Sequence, residues 1–260
     1  MGANVMYRPT RVRHIQFAPT SLLFDARHVF NAINEAKQKG AIERSDAFNM
    51  LERELGQISL HLATRANILN SAIDSMSRHM EQLIDIVRSS TEPPQYAIKV
   101  PDALVYGLLL NMDSFFFEAK AFEEALRRFF IRTAQHLLNL SSSASRQTYL
   151  QMASQCGEVS NEPWGNFLYR VRKTFIHRAA PWVAVDLSRS EDGVFDFLIM
   201  SENIKDFKQA RPGSFFPSIA YMNYLWGCLQ RMAEVSEEFL IDRISKLRKS
   251  DVMKGASRND

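Results

Sequence analysis

Apolar residues recur three and four apart along most of this chain, the spacing of amphipathic helices, and switch to every second position over one short stretch. From Ser21 to about Lys39 the pattern Leu22, Leu23, Ala26, Val29, Phe30 and Ile33 predicts a first helix, stopped by Gly40. Residues 45–90 read as one long helix or two colinear ones, with Gly56 as the break. Their stripe is Leu62, Ile68 or Leu69, Ile73, Met76, Met80, Leu83 and Val87, and His61 and His79 read as surface or partly packed side chains. The run Ser89–Pro101, SSTEPPQYAIKVP, is a loop.

The next helix runs from Pro101-Asp102 to about Leu140 on Val105, Leu108, Met112, Phe115, Ala119, Phe122, Leu126 and Phe129. Leu109, Phe116, Phe117 and Phe130 widen that face, as expected for the central helix of a bundle. Asp113 and Glu118 stand among its phenylalanines, and Arg127, Arg128 and Arg132 follow. Glu118 either orients a buried arginine or lies on the wet side beside Lys120. A short helix from about Ser145 to Gln155 ends at Cys156-Gly157.

The alternation Val183, Val185, Leu187 and Phe195, Phe197, Ile199, around the turn Ser190-Glu191-Asp192-Gly193, predicts a β-hairpin. After Arg211-Pro212-Gly213-Ser214 a last helix is expected from about Pro217 to Leu247. The organisation expected is an extended or disordered N-terminus over 1–20, N-terminal helices over 21–90, a helical core over 101–248 with the hairpin near 182–200, and a polar tail over 249–260. The fold class is mainly α, a helical bundle with a small β-hairpin insertion.

One helix, Asn161–Pro181 (NEPWGNFLYRVRKTFIHRAAP), stands apart from the others. Asn161 is its expected N-cap, Glu162 suits the positive end of the dipole and Pro163 suits the first turn. Trp164, Leu168, Val171 and Phe175 form the buried stripe. At about 100° per residue, Gly165, Tyr169 and Ile176 line up on the opposite side, bordered by Arg172, Lys173 and His177. An aromatic and an aliphatic group among three basic ones suit a surface that meets a partner and an anion together.

Composition narrows the function classes. Hydrophobic residues at 46% and charged residues at 23% describe a globular chain, and 10 Gly and 9 Pro in 260 residues favour long helices. A net charge of +3 permits an acidic partner such as RNA. The two cysteines, Cys156 and Cys228, have no metal-ligand neighbours, and no CxxC, HExxH or clustered His/Asp set occurs, so neither a metal nor another cofactor is expected. The basic N-terminus lacks the apolar core of a signal peptide, and the run Ala103–Met112 is too short to span a bilayer. The expected location is therefore cytoplasmic, away from membranes.

The string Arg172-Lys173-Thr174-Phe175-Ile176-His177, near the end of a core helix, resembles the Arg-x4–6-His motif of the HEPN family, helical domains whose active members are ribonucleases. The resemblance covers roughly residues 100–248 and includes the hairpin after HRAAPWVAVD. It implies a metal-independent endoribonuclease in a toxin, antiphage or stress-response setting, with Arg172 and His177 catalytic and a 2',3'-cyclic phosphate as product. Lys173, Arg170 and Arg178 are the implied substrate contacts, and Arg170 competes with Arg172 for the motif position. Lys173 departs from the Asn, Asp or His frequent there. The implied assembly is a homodimer through Tyr169 and Ile176, open to a regulatory protein partner or antitoxin.

The chemistry is coherent. Histidine titrates near neutrality and suits removal of a 2'-hydroxyl proton, while the arginine fork stays charged and clamps phosphate. Residues five apart on a helix diverge by roughly 140°, so the pair works together only if the helix loosens or a second copy completes the site. The alternative is a non-enzymatic dimeric helical module that binds RNA or protein. In that reading Arg172 and His177 complement the helix dipole and cap its free carbonyls.

Overall fold

The computed structural model describes residues 24–43, 45–89, 101–159, 162–166, 168–169, 183–189, 194–200 and 215–247. The fold is mainly α. Its long described helices are α1 (Ala26–Gln38), α2 (Asp46–Ser89), α3 (Asp102–Leu137), α4 (Ser142–Gln155) and α5 (Ser218–Ser245). These five follow the expected order with shifted ends, while most of the helix expected over Asn161–Pro181 lies outside the described residues. Asp25 caps α1 by accepting from the Arg27 N–H at 3.0 Å, so the helix starts later than Ser21. Gly40, at φ +67, ends that segment in the left-handed conformation that glycine adopts without strain.

α2 runs through Gly56 without a break. One glycine costs a helix only about 1 kcal/mol, which the flanking buried leucines, Leu55 and Leu62, offset. Ser141 caps α4 through the Ala144 N–H at 3.2 Å, so this helix starts before Ser145. The expected loop at 90–100 and the expected tails at 1–20 and 249–260 lie outside the described residues.

The hairpin pairs β3 (Val183–Arg189) with β4 (Val194–Met200), Val185 facing Phe197 and Val183 facing Ile199. Two short strands precede it, β1 (Glu158–Val159) and β2 (Glu162–Pro163), which pair with one another. A third strand, β5 (Phe215–Pro217), pairs with β4, so Pro217 belongs to a sheet edge and α5 begins at Ser218. An isolated hairpin is marginal in water, and the third strand supplies main-chain partners to β4.

The described residues form two compact units, and α2, α3 and α5 each contribute one part to each. Each unit draws on both of the sequential segments expected from the pattern. The first contains Ile68–Glu118 and Asn166–Trp226. Its core has Leu69, Ile73, Met76, Met80 and Leu83 of α2, Leu108, Met112, Phe115 and Phe116 of α3, Phe197 of the hairpin, and Met222 and Leu225 of α5.

The second unit contains Ser21–Asn67, Ala119–Gly165 and Gly227–Asp260. Aromatic edges organise its core: Phe129 meets Phe24 at 5.2 Å and Phe30 at 6.3 Å, while Phe130 meets Tyr149 at 5.6 Å and Phe239 at 5.4 Å. Arg231 donates from Nε and Nη2 to the Cys156 carbonyl at 2.9 and 2.6 Å, satisfying the C-terminal end of α4.

Candidate functional site

Arg170, Arg172, Lys173, Ile176, His177 and Arg178 lie outside the described residues. The approach to them is described. Residues 164–166 and 168–169 are helical, but Glu162-Pro163 is paired with Glu158-Val159, so the helical state begins at Trp164. The expected first turn at Glu162-Pro163 is corrected accordingly. Proline lacks an N–H, which suits it equally to a strand edge and to a first helical turn, and sequence alone does not separate the two.

Trp164 is buried, with its indole Nε1–H donating to the Ala153 carbonyl at 2.9 Å. Leu168 is also buried, whereas Tyr169 is 56% exposed. The start of the predicted buried stripe and of the predicted outer face thus lie as expected.

Glu118 and Lys120 are both buried, which removes the wet-side reading of Glu118. Asp113, by contrast, is exposed at its surface, although partial desolvation raises its carboxyl above the ordinary range.

The second unit carries a group of charged side chains along α3. Lys120 Nζ lies 2.5 Å from Glu123 Oε2, and both side chains are buried. The other Glu123 oxygen faces Arg127 Nη1 at 3.9 Å, and Lys120 also approaches Glu124 at 3.7 Å. The Tyr149 hydroxyl donates to the Glu123 backbone carbonyl at 3.3 Å. One turn further along α3, Glu54 of α2 accepts from Arg128 Nη2 at 2.9 Å and Arg132 Nε at 3.1 Å. Those bonds, that of Arg128 first, hold the Glu54 carboxyl below the ordinary carboxylate range.

Above these pairs lies an open groove of about 390 Å³, lined by Glu124, Arg127, Arg128, Ile131, Arg132, Gln135 and Ser142. The clustered arginines were legible in the sequence; Glu54, 74 residues from Arg128, was not. A second groove of about 530 Å³ lies along Lys37, Ser45, Asp46, Asn49 and Glu52. There Lys37 Nζ is 2.6 Å from Glu52 and 5.0 Å from the Phe48 ring centroid, so its charge is already matched.

In the first unit His79 packs closely on α3. Its Nδ1 lies 2.8 Å from the Asn111 amide nitrogen, and its ring occupies the space that a side chain at Gly107 would fill. The signal available in the sequence is Gly107, the lone glycine of α3.

Among the described residues no group of three or more His, Cys, Asp or Glu side chains is placed to hold a metal ion, and no helix is long and apolar enough to cross a membrane. No family model, curated protein or solved structure matches the chain.

Proposed function

We propose that the protein is a metal-independent endoribonuclease of the HEPN type, with His177 moving the proton and Arg172 stabilising the phosphate. The observation that supports this most directly is the start of the motif helix. Trp164 and Leu168 are buried while Tyr169 is exposed, which supports the outer face expected from the spacing of Gly165, Tyr169 and Ile176. The mainly α fold and the hairpin that follows the motif agree with the resemblance.

In this reading the His177 imidazole removes the 2'-hydroxyl proton, and the oxygen attacks the adjacent phosphorus. The bond from phosphorus to the 5'-oxygen of the next nucleotide breaks, leaving a 2',3'-cyclic phosphate and a 5'-hydroxyl protonated by water. Arg172 neutralises the crowded phosphate, and Lys173, Arg170 and Arg178 hold the strand. Glu118, a buried acid on α3, is the candidate to orient Arg172. A homodimer through Tyr169 and Ile176 lets one copy supply the histidine and the other the arginine. A toxin, antiphage or stress-response role, cytoplasmic and open to control by a protein partner, suits such an activity.

The test is cleavage of RNA by purified protein in the presence of EDTA. His177→Ala is expected to lower the rate about 10²–10⁴-fold while leaving the helical circular dichroism unchanged. A 2'-deoxy substitution at the cut position should block cleavage. If Arg170→Ala abolishes cutting and Arg172→Ala does not, the motif arginine is Arg170. If wild-type protein cuts no RNA while both His177→Ala and Arg172→Ala lose thermal stability, the non-enzymatic module is the correct reading.

A further inference from the structure

The arginine groove of the second unit has no part in the cleavage chemistry just described. Arg127, Arg128 and Arg132 occupy about one and a half turns of α3, and their side chains remain 38%, 63% and 42% exposed. Glu54 takes one N–H from Arg128 and one from Arg132. A guanidinium carries five N–H donors, so each of these arginines is held in direction yet keeps donors for an incoming anion. Holding the side chains beforehand lowers the entropy lost on binding.

The local charge balance also favours an anion. Lys120, Arg127, Arg128 and Arg132 supply four positive charges against three from Glu54, Glu123 and Glu124, a net of +1. Glu123 and Glu124 both lie beside the buried Lys120 ammonium, at 2.5 and 3.7 Å. Ser142, on the groove wall, is the first residue of the 14-residue α4, so the positive end of that helix adds to the field. Ile131 stands among the arginines and offers an apolar contact to a sugar or base. The groove is open rather than enclosed, which suits a strand passing through better than a small molecule held on all sides.

We propose that this groove binds the phosphodiester backbone of a single-stranded polynucleotide, with Arg127, Arg128 and Arg132 as its phosphate contacts. The inference stands apart from the cleavage reading and holds for a binding module as well.

The test uses the full chain carrying His177→Ala, so that a bound strand is not cut. Fluorescence anisotropy follows a labelled oligouridylate of roughly twelve nucleotides over a range of salt. The three groove contacts on a single strand should contribute about −2 to the slope of log affinity against log salt. Adding Arg127→Gln and Arg132→Gln should weaken binding about tenfold and flatten the slope by about 1.4. Glu124→Gln removes a half-exposed acid from the wall and should tighten binding, which provides a readout if the double variant unfolds.

Unchanged affinity and slope in the folded double variant overturn the proposal, as does a Glu124→Gln protein that binds like its parent. Inorganic phosphate is the second probe. If it shifts the arginine side-chain resonances while the oligonucleotide does not bind, the occupant is a small phosphate and the polynucleotide assignment falls. Binding without cutting in the wild type leaves the groove standing and removes the ribonuclease reading. Cutting with a groove variant that binds normally does the reverse.

Discussion

Gly107 makes room for the imidazole of His79: a Cβ built on that glycine would stand 2.7 Å from Nε2 and 3.0 Å from Cε1. The ring cannot simply swing aside, because Asn111 holds its Nδ1 at 2.8 Å. With the amide nitrogen donating, Nδ1 is the acceptor and the neutral ring carries its proton on Nε2, the side turned to the glycine.

Gly107→Ala should therefore destabilise the protein by about 1 kcal/mol, since overpacking outweighs the gain in helix propensity. In a His79→Ala background the same change should stabilise by up to about 1 kcal/mol, because only the propensity gain remains. Urea unfolding of the four proteins measures this coupling. The same sign in both backgrounds would show that the imidazole is not what keeps residue 107 a glycine.

Lys120 and Glu123 form a pair inside the second unit, and removing one member leaves the other charged and buried. Lys120→Met should cost about 3–5 kcal/mol. The double change Lys120→Met with Glu123→Leu should recover much of that loss, since the charges that lose a partner, Arg127 and Glu124, are solvated rather than buried. Thermal melts of the single and double variants distinguish this from a simple packing defect, in which the second change would add to the first.

Glu54 links stability to pH. Its folded-state pKa is lowered from the ordinary 4.5, so its stabilising contribution is complete above that value and disappears as pH falls through the folded value. Because Arg128 and Arg132 are largely solvated, the contribution at neutral pH should be no more than about 1 kcal/mol. Glu54→Gln should lower the urea midpoint at pH 7, and the gap from wild type should close in acid. A gap that persists well below the carboxylate range would mean that Glu54 acts through packing rather than charge.

The exposed Tyr169 gives the proposed self-association a direct handle. Tyr169→Glu and Ile176→Glu should each shift the particle towards monomer in light scattering while helical circular dichroism is retained. A wild-type protein that is already monomeric at assay concentration would remove the shared-site mechanism.

Much of the helical framework was legible because burial on one face leaves a three-and-four spacing, as in Leu69, Ile73, Met76, Met80 and Leu83. The hairpin was legible because Val183, Val185, Phe197 and Ile199 follow the strand period instead. Helix ends were less so: Asp25 and Ser141 cap their helices, and nothing local ranks them above Ser21 or Ser145. β5 is three residues long and contains Pro217, too little to show a period. At the site, the sequence pattern marked Trp164, Leu168 and Tyr169 in agreement with their exposure. It could not pair Glu54 with Arg128 and Arg132, or His79 with Asn111, because each pairing joins separate helices and leaves no periodic trace.

The Tyr149 phenol makes the second unit sensitive to base. Its hydroxyl is buried against the Glu123 carbonyl, and desolvation, with the Glu123 charge adding to it, lifts its pKa well above the ordinary 10. The unfolded chain therefore gives up this proton at lower pH than the folded one, and stability drains away as the solution rises past the ordinary phenol range. The Tyr149 share of the tyrosinate absorbance should appear only when the unit opens, as a late step added to the signal of the other six tyrosines. An optical record of alkaline unfolding is thus built into the chain, with no added label.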